Sequence, residues 1–392
     1  GGRCLMELIK NLNNKPNNIT STRDYWVTIN DKEHLDLLLG STAFIFGFSN
    51  EHILQKIQEV QNTVSFIKDC STEQNEYNTA LIDKICTAGS FEGLAWAVSG
   101  SDGVEVALYT NENYWRNKNE YKPKVITFNP NYHGATYLPR TLRDENYHNT
   151  VMVDGPGWDD ISLREQTEKE CLLRVENALS SDNQIGAVLM EGCPWMQRLR
   201  PWSEVWWQGI RDICDNHGVN LIVDDIFAGY GKTGNIFTHT QFNIQPDIVA
   251  LGKSLTGGFT PLSCACATKK ITDYAADGWD FSHTWTPSMA GVGAGLAVLE
   301  LFNTNDIEQI QRKLLIMAEK LEKMGLVSQI TSQGLLMQLD LVNKYPHDIL
   351  SKHGLSGFFK GERAIMICAP ANADNEYFNH LESRLISVLN DV

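Results

Sequence analysis

The apolar positions change texture twice along the chain. Between residues 26 and 39, short apolar stretches are split by Asn30-Asp31, which predicts a hairpin. Ile53, Ile57 and Val60 then recur at helical spacing, so residues 52–64 read as an amphipathic helix. The stretch before the hairpin, residues 11–20 (NLNNKPNNIT), is polar and Asn-rich and reads as a loop or arm with no drive to pack. From about residue 90, short apolar runs alternate with amphipathic segments. The runs at 94–98, 124–128, 187–191, 221–223, 247–251 and 262–268 are candidate strands. A helix is predicted over 203–217, with Trp206, Ile210 and Ile213 on one stripe and Gly218 as its stop. Near-continuous apolar strands separated by helices predict an α/β fold, a buried and mostly parallel sheet with helices on both faces. After about residue 300 the pattern becomes α+β: a helix over 306–324, strand-like segments at 326–330, 334–341 and 364–368, and a final helix over 376–389. The N-terminal hairpin and helix could complete that unit.

Composition narrows the function classes. A formal net charge of −15 repels phosphate backbones, so nucleic acid is not an expected partner. No apolar run reaches the ~18 residues of a membrane span, no secretory signal opens the chain, and a cytoplasmic location is expected. Nine cysteines, an odd number without regular spacing or a CxxC pair, form neither a disulfide framework nor a zinc site, so no metal is expected. They read as reduced thiols in the core.

Four stretches carry candidate chemistry. In LIVDDIFAGYGKTG (221–234) an apolar strand delivers Asp224 and Asp225 at its C-terminal end, where parallel α/β sheets bind ligands. A carboxylate there needs a cationic partner, although a loop acid capping a turn has the same sequence signature. In PDIVALGKSLTGGF (246–259) a second strand ends at Gly252-Lys253. A lysine at a buried strand end loses solvation and becomes a usable amine nucleophile, whereas a lone one is an ordinary surface residue. In VSGSDGVEVAL (98–108) a strand runs through Gly100, Ser101 and Gly103 into a helix, a start suited to phosphate and equally to a simple cap. In FNPNYHGAT (128–136) a strand ends in a loop offering Tyr132 and His133: a ring able to stack on a cofactor, or a core aromatic with a surface histidine. GYGKTG (229–234) fits the dinucleotide pattern GxGxxG, but it starts several residues past its strand and no helical stripe follows. The G-K-[ST] triplets at 231–233 and 252–254 lack the first glycine of a P-loop.

In order and spacing these stretches resemble class III aminotransferases, pyridoxal-5′-phosphate (PLP) enzymes of fold type I, from about residue 25 to 385. VDDIFAGYGKTG and DIVALGKSLTGG look like that family's aspartate and lysine motifs, and SGSDGVEVAL, NYHGAT and VLMEG with Glu191 add to the match. HTWTPSMAGVGAGLAVLE (283–300) resembles the segment whose threonine, here Thr284, reaches the phosphate of the neighbouring subunit. The resemblance implies the following roles. Lys253 holds PLP as a Schiff base and shuttles a proton. Asp224 keeps the pyridine nitrogen protonated. Ile226 and Tyr132 cover the two ring faces, and Gly100 and Ser101 hold the phosphate with Thr284 of the partner chain. His133 and Glu191 join the cofactor-binding set. It also implies a ping-pong exchange between a small-molecule amino donor and an oxo acceptor, in a homodimer with shared active sites. The expected division is a small domain from residues 1–60 and 301–392 around a large PLP domain, 61–300, with a mostly parallel seven-stranded sheet.

Three segments, SGSDGVEVAL with YWRNK (114–118), LGKSLTGG and DICDNHGVNLIVDDI (212–226), look most like the branch of the 7,8-diaminopelargonate synthases of biotin synthesis. The substrate positions depart from it. That branch's tryptophan pair is Ser41-Thr42, the Asp of its YHGD is Ala135, and AIMICAPAN (364–372) lacks the carboxylate-reading Arg of many members. The Gln often found two residues after the family's Asp-Glu pair is Phe227, and EGCPWMQ (191–197) lacks the glycine-rich signature. A diverged substrate is therefore expected. Three alternatives stay open: an aminomutase or other non-transaminating PLP enzyme, a nicotinamide oxidoreductase resting on GYGKTG, and an inactive binding protein on this fold.

Overall fold

The computed structural model describes residues 17–68, 73–157, 161–196, 199–346, 348–357, 359–360 and 363–391. The hairpin read around Asn30-Asp31 is present. Strands β1 (Ile19–Arg23), β2 (Trp26–Ile29) and β3 (Lys32–Asp36) form an antiparallel meander. Asn30 and Asp31 both take positive φ, as a tight two-residue turn requires. β1 corrects the reading of residues 11–20 as a loop throughout. Ile19 and Thr20 already belong to a strand paired with the hairpin, although β1 stays exposed along its length, while residues 11–16 lie outside the described residues.

The centre of the molecule is a seven-stranded sheet of β4 (Gly93–Ala97), β5 (Lys124–Asn129), β6 (Thr150–Asp154), β7 (Ile185–Glu191), β8 (Asn220–Asp224), β9 (Ile248–Leu251) and β10 (Ser263–Ala267). Its spatial order is β4-β10-β9-β8-β7-β5-β6. Only β10 runs antiparallel to its neighbours. β7 and β8 are buried at every position, which is why they read as unbroken apolar runs. β6 was not among the candidate strands. It is an edge strand, buried at only two of its five positions, so its burial does not separate it from the polar chain before it.

Helices cover the sheet. Gly100–Asn117 packs against β4, β9 and β10, and Glu204–His217 against β8. The latter follows a Ser203 cap and ends at Gly218 with φ +62, the stop its sequence predicts. Trp202 and Trp206 stack at 4.2 Å with an 11° interplanar angle and fill the space under β5 against Phe128. Past the helices Met289–Leu301 and Thr304–Lys323, strands β11 (Val327–Gln333), β12 (Leu336–Leu341), β13 (Leu355–Ser356), β14 (Phe359–Lys360) and β15 (Ala364–Cys368) lead to the last helix, Asn375–Leu389. β11, β12, β15 and β14 make a third sheet. β13 pairs with β3 in parallel, which ties the end of the chain to its beginning.

Candidate active site

Three parallel strands end side by side. Glu191 closes β7, Asp224 closes β8 as its register partner, and Lys253 follows β9 by two residues. Their side chains line one cavity of about 190 Å³ together with Ser99, Gly100, Ser101, Tyr132, His133, Gly134, Trp195, Ile226 and Phe227. The alternation of side chains along an extended chain separates the two adjacent aspartates. Asp224 faces the cavity. Asp225 turns away and accepts from Thr238 N at 2.7 Å and Thr238 Oγ1 at 2.5 Å. Burial raises the Asp225 carboxyl to about 6.

Asp224 is buried, and each of its oxygens has a partner. Its Oδ2 lies 2.9 Å from His133 Nδ1, and its Oδ1 accepts from Ile226 N at 3.2 Å. A carboxylate only accepts, so the pair assigns the proton to Nδ1 and leaves Nε2 facing Thr127 Oγ1 at 3.3 Å. His133 is therefore no surface residue; it is 2% exposed, and its partner lies 91 positions along the chain. Glu191 accepts from Tyr132 N at 3.0 Å and Trp195 N at 3.1 Å, which joins two loops at the cavity rim. Burial pushes its carboxyl up to about 7; His133 opposes that shift, and Asp224 adds to it.

Lys253 is only partly exposed. Its backbone sits in the left-handed region at φ +45, a strain that non-glycine residues keep where the surrounding structure imposes it. Burial lowers the proton affinity of its amine, and Asp224 and Glu191 act in the opposite sense. The Nζ lies 4.9 Å from the ring centroid of Phe227.

The helix Gly100–Asn117 starts at the cavity. Ser99 and Asp102 form a reciprocal capping box, with Ser99 N donating to Asp102 Oδ2 at 2.9 Å. Gly100 and Ser101 occupy the first turn, where the helix offers its N–H groups no acceptor. Gly100 lacks the Cβ that would come within 2.9 Å of Ile226 Cγ2. At Gly134 (φ +130) a Cβ would meet Ser101 Oγ at 2.7 Å; its absence lets the 130–136 loop close down, with Ala135 N donating to Ser101 Oγ at 3.0 Å. Tyr132 remains 41% exposed, with the Arg143 guanidinium 4.6 Å from its ring centroid.

Thr284 is exposed in the loop before Met289–Leu301 and does not line this chain's own cavity. Two further lining residues, Trp195 and Phe227, are not among the residues that the sequence motifs single out for a role, although both fall where the sequence departs from the family pattern. Gly229–Gly234 forms turns followed by a 3-10 segment, Thr238–Phe242, in place of the helix that a dinucleotide fingerprint needs.

The chain is similar to known proteins along most of its length. The family described as Aminotransferase class-III matches residues 10–386. The (R)-1-hydroxy-2-aminoethylphosphonate ammonia-lyase of Vibrio splendidus is 28% identical over 346 residues, which cover 80% of this chain and 70% of that protein. The adenosylmethionine-8-amino-7-oxononanoate aminotransferase of Anoxybacillus flavithermus is 26% identical, covering 67% of this chain and 64% of its own length. The omega transaminase of Pseudomonas jessenii, solved with PMP, superposes with a TM-score of 0.86 at 19% identity over 96% of this chain and 92% of its own. That likeness fixes the fold as the PLP-dependent transferase type, and the match across nearly the whole sequence means that the chain belongs to the class III aminotransferases, whose cofactor is pyridoxal 5′-phosphate.

Proposed function

We propose that this protein moves an amino group from a small-molecule donor to an oxo acceptor, with Lys253 as the residue that bonds the cofactor. The observation that carries the reading is the convergence of Lys253 and Asp224, from neighbouring strand ends, on one cavity beneath a helix start. The residues present fit the cofactor. Gly100 and Ser101 offer N–H groups to a phosphate, and the missing Cβ of Gly100 keeps that approach open. Asp224 suits a protonated ring nitrogen, and Ile226 and Tyr132 are available to the two ring faces.

When bound, the cofactor supplies an electron sink for the substrate's reacting carbon. Asp224, braced by His133, holds the proton at the ring nitrogen. Lys253 Nζ, made less basic by burial, is the nucleophile, and afterwards gives and takes the proton at the reacting carbon. Glu191 sets the loops that carry Tyr132 and Trp195.

The same reading extends to the assembly. Thr284, exposed in one chain, serves the phosphate site of a second copy in a homodimer. Residues 61–300 act as the cofactor domain, flanked by a small domain from 1–60 and 301–392. The seven described cysteines are buried, in keeping with reduced thiols in a cytoplasmic setting. A diaminopelargonate-synthase-like reaction with a diverged pocket is the proposed branch: Phe227, which stands where a Gln is usual in the family, and Trp195 wall the cavity with ring centroids 6.0 Å apart.

A non-transaminating reaction is the second reading, favoured by the ammonia-lyase among the relatives. The deciding experiment incubates the purified, PLP-loaded protein with a panel of amino donors, with and without oxo acceptors. Amine product that appears only as the acceptor is consumed supports transamination. Ammonia release without an acceptor selects the second reading. No cofactor-dependent turnover of any donor contradicts both.

A further inference from the structure

The GYGKTG turn holds a lysine that the proposed mechanism does not use. Lys232 is fully buried, although a buried ammonium is costly unless something specific holds it. Its Nζ donates to Ser254 Oγ at 2.6 Å, and Ser254 is the residue after Lys253. Ser254 Oγ also faces the Thr42 carbonyl at 3.4 Å. The Lys232 carbonyl accepts from Leu335 N at 2.8 Å, which anchors the turn to the third sheet. The left-handed Lys253 is thus followed directly by a residue that is held from the other side of the site.

We propose that Lys232 is a positioning residue for Lys253: through Ser254 it fixes the turn that carries the reacting amine. The proposal rests on the reading of Lys253 as the cofactor's lysine. Burial and the charge of Lys253 lower the Lys232 amine to about 7, while Cys368 and Asp225 oppose that shift. The Lys253 amine faces Asp224, Glu191 and Cys368, and each of these favours its protonated form.

The test is a pH titration of the bound cofactor's absorbance in the intact holoenzyme, which reads the proton on the Lys253 nitrogen. In Lys232→Met the midpoint is expected to shift by about half a unit or more, while Lys232→Arg, which keeps a donor for Ser254, stays near wild type. A folded, cofactor-loaded Lys232→Met protein with an unchanged midpoint overturns the proposal. Should that variant not fold, Ser254→Ala keeps Lys232 and breaks the tie, together with the longer contact to the Thr42 carbonyl. Its kcat is expected to fall about tenfold with KM nearly unchanged, and wild-type kcat overturns the proposal. A wild-type protein without any cofactor absorbance band is a different failure: it removes the Lys253 reading itself.

Discussion

His133 Nδ1 lies 2.9 Å from Asp224 Oδ2, and both side chains are sealed from solvent. The loop after β5 therefore orients the carboxylate at the end of β8, two strands away in the sheet. Asp224 needs that support, because a single buried carboxylate turned by one rotamer would no longer point at the ring nitrogen proposed for it. Replacing Asp224 with Asn removes the charge and leaves the shape. Turnover is expected to fall by about 10²-fold, as for loss of one preorganised electrostatic group. His133→Ala leaves the charge but removes its partner, and a loss of about tenfold is expected. Steady-state rates of the two variants at saturating cofactor check both, and equal losses would contradict a primary role for Asp224 with His133 as its support.

The raised carboxyls set a pH dependence for the cofactor-free protein. Glu191 at about 7 and Asp225 at about 6 both favour the protonated form in the folded state. Their contribution to stability is complete below the ordinary carboxyl range and is lost as pH rises through those values. For Glu191 the difference from the ordinary value of 4.5 corresponds to on the order of 3 kcal/mol. Melting temperature should therefore decline between about pH 5 and 7. Glu191→Gln should flatten that decline, as thermal scans across the range can establish.

Gly100 carries a steric prediction. A Cβ at this position would stand 2.9 Å from Ile226 Cγ2, and the same Ile226 methyl lies 3.3 Å from the point a Cβ on Gly252 would occupy. Ile226 is buried and must shift to admit it. Gly100→Ala should displace it toward the cavity at a cost of about 1–2 kcal/mol. Cofactor affinity, measured by absorbance titration of the cofactor-free protein, should fall about tenfold or more with the fold intact.

The parts of this site that were legible in the sequence share one physical origin. β7, β8 and β9 are buried on both faces, so each is an apolar run whose first polar residues, Glu191, Asp224 and Lys253, stand out at its end. The stop at Gly218 was legible for a similar reason: it acts within one turn of the helix it bounds. What escaped depends on partners far along the chain. The bond that ties His133 to Asp224, 91 positions along the chain, leaves no sign in the loop's own residues. Lys232, in a glycine-rich turn that mimics a nucleotide motif, gives no sign of burial until Ser254 is brought within 2.6 Å. β6 escaped for lack of contrast, since an edge strand keeps exposed positions. The helix Arg164–Ser181 escaped because its first turns (REQTEKE) are polar almost throughout, with Glu168 buried against Ser203.

The most direct measurement is chemical. The purified protein, loaded with pyridoxal 5′-phosphate and reduced with borohydride, should retain the cofactor covalently, and peptide mass mapping should place the added mass on Lys253. Lys253→Ala treated in the same way should retain none. Attachment to Lys232 or to any other lysine in the wild-type protein would contradict the assignment of Lys253 as the cofactor's lysine.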